Sequence, residues 1–238
     1  MLSSQAAQDA IANNLANANT VGYKRDIPEL QSFSSALSRS SNSPFGASAG
    51  ALGSGVDMRQ YAVDFAQGAL EQTGNPYDIA LSGDASIAVN KGNGVVYSRD
   101  GSLTRNIKGQ LVQVNGGGTV LDSAGKPIVI PINVKNVEFT AAGKVVADGK
   151  TIAQLKLQAL NISTGAFKIG DSAYGVTALR SPSPGFGVRQ GYLEASNVSV
   201  VKEMIQMVTS MRAYETDQKM IQAEDSATGK AVNEVARG

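Results

Sequence analysis

The chain has 238 residues, 42% of them apolar, and a formal net charge of +1. That length can bury a full core in one or two domains, and near-neutrality without a basic stripe excludes nucleic-acid backbone binding as the main activity. The chain contains no Cys and no His, which excludes cysteine nucleophiles, histidine general bases, Ser-His-Asp triads and the usual zinc sites. Carboxylates remain, but the adjacent acidic pair Glu224-Asp225 falls on a predicted surface helix, where a solvated charged face explains it. Gly53-Ser54-Gly55 and Gly92-Asn93-Gly94 lack the third glycine, or the Lys-Ser/Thr, of a phosphate-binding loop. The expectation is therefore no catalytic residue, no metal, no cofactor, no nucleic acid and no small-molecule substrate. No apolar run has the length of a membrane span, and the start lacks the charged and apolar regions of a secretory signal.

In chain order, the first predicted element is a short helix. Ala7, Ile11 and Leu15 recur at i, i+4 and i+8 and so share one face. Asn17, Asn19 and Gly22 tolerate left-handed backbone or bond their own main chain, which stops the helix near Ala18. On local physics alone this is an ordinary capped helix, and it occupies an N-terminal segment, 1–30. Segment 31–76 follows as an extended connector. Its stretch from Gln31 to Asp57 is rich in Ser, Gly and Ala and offers little apolar surface to offset the entropy of ordering.

Residues 77–189 alternate short apolar runs with turn residues, as an antiparallel β domain does. Asp100-Gly101 lies between Val95-Val96-Tyr97-Ser98 and Leu103-Thr104-Arg105 and predicts a tight hairpin of the primed type. Further turns are expected at Lys108-Gly109, Asn115 to Gly118, Ala124 to Pro127, Ala142-Gly143 and Asp148-Gly149. Leu155, Leu157 and Ala159 alternate with Lys156 and Gln158, giving a buried and a wetted face.

The last segment, 190–238, carries the longest predicted helix. Met204, Met207, Met211, Tyr214 and Ile221 fall at intervals of 3, 4, 3 and 7 residues, and Val232 and Val235 resume the register. Val201, Ile205 and Val208 widen the stripe. Ser199 suits the N-cap, and Asn197 with it reads as helix-start chemistry. From Ser199 to Val235 the helix would run ~55 Å at ~1.5 Å per residue. The short N-terminal helix cannot cover that length, so Ile11, Asn14, Leu15, Val201, Met204, Ile205, Val208, Met211, Tyr214 and Ile221 are expected at a subunit interface.

Three stretches carry a resemblance. Ala12-Asn13-Asn14-Leu15-Ala16-Asn17-Ala18-Asn19-Thr20-Val21-Gly22-Tyr23-Lys24 closely resembles the N-terminal motif of bacterial flagellar rod and hook proteins. Tyr97-Ser98-Arg99-Asp100-Gly101-Ser102-Leu103 resembles that family's central Y-x-R-D-G-x-F/L element. Gly191-Tyr192-Leu193-Glu194-Ala195-Ser196-Asn197-Val198, followed by Arg212-Ala213-Tyr214-Glu215, resembles its C-terminal signature. The motif residues carried over are Asn13, Asn17, Asn19, Gly22, Tyr23, Arg99, Asp100, Gly101, Gly191, Glu194, Ser196 and Asn197. The chain departs from the family at Asp84-Ala85-Ser86-Ile87-Ala88-Val89, where relatives carry a Gly-Phe-Phe element, which puts the packing of that strand in doubt. Relatives also carry further residues before a small-residue-Gly-Met segment like the start seen here, so the resemblance implies a trimmed or misassigned start.

The resemblance implies an α+β fold of the FlgF/FlgG type, with long N- and C-terminal helices forming a helical domain and an inserted, mainly antiparallel β domain. It implies a structural rod subunit of the flagellar basal body that assembles through its terminal helices and transmits torque towards the hook. Its implied partners are other copies of itself, neighbouring rod or hook proteins and the flagellar type III export machinery, with export beyond the cytoplasmic membrane. The small central domain favours a rod protein over a hook protein, and the stretches Met220-Ile221-Gln222-Ala223-Glu224-Asp225 and Lys230-Ala231-Val232-Asn233-Glu234-Val235 resemble the proximal-rod type more than the distal-rod type. A secreted β-rich adhesin or carbohydrate-binding module is the alternative; with no Trp and 5% aromatic residues, the chain offers it few stacking platforms. A carboxylate-only enzyme ranks third.

Overall fold

The computed structural model describes residues 2–32, 56–92, 94–160, 166–170, 172–176 and 180–235. The fold is α+β with mainly antiparallel sheets. The chain divides into two compact units, one drawn from Met1–Leu15, Asp26–Ala62 and Ser199–Gly238, the other from Ala16–Arg25 and Val63–Val198. Residues 33–55, at the centre of the expected connector, lie outside the described residues.

The first unit holds helix α1 (Leu2–Ala16), the two-stranded sheet of β1 (Asp26–Ser32) and β2 (Val56–Val63), and helix α2 (Val200–Val235). At 15 residues α1 is short, whereas α2 runs for 36. Neither is long and apolar enough to cross a membrane. The face of α2 that is covered within the chain consists of Glu203, Met207, Ser210, Tyr214 and Asp217, a 4-3-4-3 spacing that keeps one seam turned to a neighbouring helix. Ser4 joins it from α1, its hydroxyl donating to Asp217 Oδ2 (3.5 Å) and its carbonyl accepting from the Ser210 hydroxyl (3.4 Å). The Ser199 carbonyl accepts the Glu203 amide (3.0 Å), placing Ser199 at the start of α2.

The second unit is built on an 8-stranded sheet. Its strands are β5 (Ala85–Asn90), β6 (Val95–Ser98), β7 (Leu103–Arg105), β8 (Leu111–Gln113), β9 (Thr119–Val120), β13 (Leu157–Ala159), β14 (Ala166–Lys168) and β15 (Ala173–Val176). They are ordered β14-β15-β6-β5-β9-β8-β7, with β13 also on β5. A three-stranded sheet joins β10 (Val137–Phe139), β11 (Lys144–Ala147) and β12 (Lys150–Gln154). Two pairs complete the unit: β3 (Leu70–Gln72) with β17 (Tyr192–Glu194), and β4 (Ile79–Ser82) with β16 (Gly187–Gln190). Every pairing in this unit with a defined register is antiparallel.

Strand β5 lies at the centre of this packing despite its departure from the family pattern. Ile87 and Val89 enter a core with Leu81, Leu103, Leu111 and Val120, while Ala88, on the opposite face, packs with Tyr97, Leu121 and Tyr174. A strand covered on both sides needs no polar alternation, and small residues on one face leave room for the bulky Phe65 and Tyr174, whose rings meet edge-on at 5.4 Å. Leu155 and Ala159 are buried as their alternation predicts, but Leu157 is half-buried like Lys156 and Gln158, so the expected contrast between a buried and a wetted face holds only in part.

Two expectations need correction. Asp100-Gly101 is no hairpin turn: β6 pairs with β5 and β15, β7 pairs with β8, and neither Asp100 nor Gly101 has the positive φ that a primed turn requires. The primed hairpin sits at Asp148-Gly149 (φ 45° and 81°), directly between the paired Ala147 and Lys150. The central unit is also wider than 77–189, since β3 and β17 pair outside those limits. Residues 190–199 hold β17 and the turn that leads into α2, which starts after Ser199 as expected.

Candidate functional site

Three sequence-distant motif segments meet in the second unit around one carboxylate. Glu194 leaves β17 fully buried and accepts from Lys24 Nζ at Oε1 (2.6 Å) and from Arg99 Nη1 at Oε2 (3.2 Å). All three side chains are at most 1% exposed. The Gly68 amide also donates to Oε1 (2.9 Å). Lys24 donates further to the Ala66 carbonyl (2.7 Å), and Arg99 to the carbonyls of Leu81 (3.2 Å) and Gly83. Two cations thus share one anion, and backbone carbonyls satisfy what the carboxylate cannot. Burial pushes the Lys24 pKa down, with Glu194 opposing it, and lowers that of Arg99 in the same way. Desolvation therefore outweighs pairing for both cations, so the cluster depends on its single anion. Arg99 Nε has no hydrogen-bond partner among the described residues.

The backbone beside this cluster is packed too closely for side chains. Gly22 has φ 68°, its amide donates to the Glu194 carbonyl (2.8 Å), and a Cβ there would run into the Arg99–Asp100 peptide. Gly101 accepts the Ile79 amide (3.0 Å), and a Cβ on it would meet the Ile79 carbonyl. Tyr23 is buried with Lys168 Nζ 4.1 Å over its ring. Asn197 acts as a bridge rather than a cap. Its Oδ1 accepts the Arg25 amide (2.8 Å) and its Nδ2 donates to the carbonyls of Asp64 (2.8 Å) and Ala66 (3.1 Å). Gly191 (φ 75°) donates to Asp78 O (2.7 Å), and the Ser196 hydroxyl accepts the Val198 amide (3.3 Å). Replacing Gly22 with Ala is expected to destabilise this unit by at least about 1–3 kcal/mol through backbone strain alone, read as a lower denaturation midpoint.

Asp100 is buried beside the cluster and braces the turn after β6. Its Oδ1 accepts from Ser102 N (2.9 Å), its Oδ2 from Asn115 Nδ2 (3.2 Å), and its carbonyl from Gln113 Nε2 (2.8 Å). Burial raises its carboxyl pKa above the usual 3.8, against the hydrogen bonds from Ser102 and Asn115. A raised pKa in the folded state means the stability it contributes is present below 3.8 and lost as pH rises through the folded value. Asp100→Asn imitates the protonated form. Its melting temperature relative to the parent should therefore move in the variant's favour as pH is raised from strongly acidic to neutral.

The remaining expected residues divide by location. In the first unit Ile11 and Asn14, expected at a subunit interface, are instead used inside the chain. Ile11 is buried, and the Asn14 amide pairs with the Asp26 backbone in both directions (2.8 and 2.9 Å) and donates to Glu203 Oε2 (3.3 Å). Tyr214 and Leu15 are half-buried. Val201, Met204, Ile205, Val208 and Met211 stay outside, from 50% exposed at Val208 to 68% at Val201, and Ile221 is 43% exposed. Asn17 accepts from Thr20 at both backbone and side chain, while Asn13 and Asn19 are exposed. Lys24 is the residue that sequence reasoning missed. Its only signal was a cation closing the N-terminal motif, with nothing local to predict burial.

Known families match in the same order along the chain. A model described as flagella basal body rod protein matches residues 3–24, one for the FlgE/F/G D1 domain of flagellar hook proteins matches 80–147, and one for the FlgEFG flagellar basal body rod C-terminal region matches 189–234. Each supplies one member of the buried cluster: Lys24, Arg99 and Glu194. The chain is 31% identical over 229 residues to the flagellar basal-body rod protein FlgF of Mesorhizobium japonicum, covering 94% of this chain and 89% of that one. It is 33% identical over 238 residues to FlgG of Agrobacterium fabrum, at 91% and 89% coverage. It is 30% identical over 252 residues to FlgG of Bacillus subtilis, at 96% and 93% coverage. Similarity of this extent, carried by motif residues that converge on one carboxylate, shows that the chain belongs to the flagellar basal-body rod protein family of the FlgF/FlgG type.

Proposed function

We propose that the chain is a non-enzymatic structural subunit of the bacterial flagellar basal-body rod, working beyond the cytoplasmic membrane. The observation that carries this reading is the outward stripe of Val201, Met204, Ile205, Val208 and Met211 on a 36-residue helix. Five large apolar side chains at helical spacing, left in water by their own chain, suit a contact that repeats between copies and with neighbouring rod or hook proteins. Leu15, Tyr214 and Ile221 would border that contact. Terminal helices would form the inner layer of the shaft and β units the outer layer, passing torque towards the hook. The buried Lys24–Glu194–Arg99 cluster suits such work because it ties the strand ahead of α2 to the segment after α1. Export would use the flagellar type III machinery.

Purified basal bodies test the assignment. The chain should co-purify with the rod, and electron cryomicroscopy of basal bodies from cells lacking it should reveal a missing or shortened rod. Intact rods in those cells, with the chain absent from wild-type basal bodies, would overturn it. An adhesin would instead be recovered from the cell surface of cells without flagella.

A further inference from the structure

Asn115 and Gly116 form an arrangement that the structural role does not use. Asn115 is exposed in the turn after β8, and the residue that follows has no side chain and a φ of 85°. Its Nδ2 lies 3.2 Å from Asp100 Oδ2, and Lys91 Nζ lies 3.0 Å from the position a Cβ on Gly116 would take. We infer that Asn115-Gly116 is a self-modifying site at which Asn115 deamidates through a succinimide, with Asp100 supplying the proton that the departing ammonia needs.

The Gly116 nitrogen attacks Asn115 Cγ and forms the imide C–N bond, its proton passing to water. The Cγ–Nδ2 bond breaks, and the nitrogen leaves as ammonia carrying the proton from Asp100, which regains one from solvent. Water then adds to either imide carbonyl, giving aspartate or isoaspartate at 115. The net change is one water consumed and one ammonia released. Asp100 meets the geometric requirement of an acid, lying within hydrogen-bond reach of the leaving atom, and its raised pKa keeps more of it protonated than an ordinary carboxyl. Besides burial, Asp78 raises the pKa of that carboxyl while Ser102 N, Asn115 and Lys91 lower it. The Lys91 ammonium, close to Gly116, also stabilises the anion left when the Gly116 nitrogen loses its proton. The product places a carboxylate opposite Asp100 where an amide donor had been. Like charges there loosen the turn against which Gly22 packs.

The test incubates the full chain in mildly acidic and in neutral buffer and follows amide-to-acid mass gain by peptide mapping. Asn115 should convert faster than asparagines not followed by glycine. Asp100→Asn should slow Asn115 several-fold, leave Asn93, which precedes Gly94 in the sequence, unchanged, and lose its effect in denaturant. Lys91→Gln, at an exposed position, should slow Asn115 as well, and it tests the arrangement should Asp100→Asn fail to fold. Asn115→Asp should melt below both the parent and Asn115→Gln. An Asn115 that persists while Asn93 converts, or equal rates in parent and both slowing variants, would overturn the inference.

Discussion

Glu194→Gln is expected to cost the β unit about 3–5 kcal/mol, the usual effect of removing one partner from a buried ion pair. The two sizes of side chain are alike, so the loss is electrostatic. Lys24 and Arg99, both fully buried, would keep their carbonyl acceptors but lose the anion between them. At this domain size such a loss lowers the melting temperature by roughly 6–20 °C. Lys24→Met should cost much less, because it removes the surplus cation and leaves Arg99 paired one-to-one with Glu194. The Ala66 carbonyl keeps its hydrogen bond from Asn197 Nδ2 (3.1 Å), so the penalty there is one lost hydrogen bond, about 0.5–1.5 kcal/mol. The double variant should recover part of the Glu194→Gln loss, since one of the stranded cations is gone. Chemical denaturation of the three variants measures the ranking, and a Lys24→Met loss equal to or above that of Glu194→Gln would contradict the reading of a cluster held by one anion.

Met211→Asp should abolish rod incorporation while leaving the isolated chain as stable as before. Met211 is 53% exposed, so in the monomer the new carboxylate stays in water at little cost. In a repeated apolar contact the same group would be desolvated without a partner, at several kcal/mol for each contact. Lys202→Asp, exposed and outside the stripe, is the control. Met207→Asp is informative in the opposite sense, because Met207 lies on the covered face of α2 and its substitution should weaken the first unit before assembly begins. Motility, rod content of isolated basal bodies and thermal melting should be measured for all three. Normal incorporation of Met211→Asp would remove the stripe from the polymer contact.

Local chemistry was readable along the chain because it acts over a few residues. The stop after α1 follows from Asn17 and Gly22, the turn at Asp148-Gly149 from its dipeptide, and the extent of α2 from its periodicity. Asp100-Gly101 carries the same dipeptide but no hairpin. There the pairing of β6 with β5 and β15, and the approach of Gly101 to the Ile79 carbonyl, overrode the local preference.

The sequence by itself determined the absence of thiol and imidazole chemistry, the long C-terminal helix, and three motifs that mark the family. Only the tertiary structure decided what those motifs do. Periodicity groups residues onto a face but does not say what covers it, so Ile11 and Asn14 turned inward while Val201, Met204 and Met211 stayed in water. Nor does it pair charges across the chain. Lys24 lies 170 residues from Glu194, and Arg99 lies 95 from it. Whether such charges are solvated on a surface or buried against one another depends on backbone segments brought together only when the β unit closes, and that closure alone makes a stray lysine at the end of a motif the partner of a buried carboxylate.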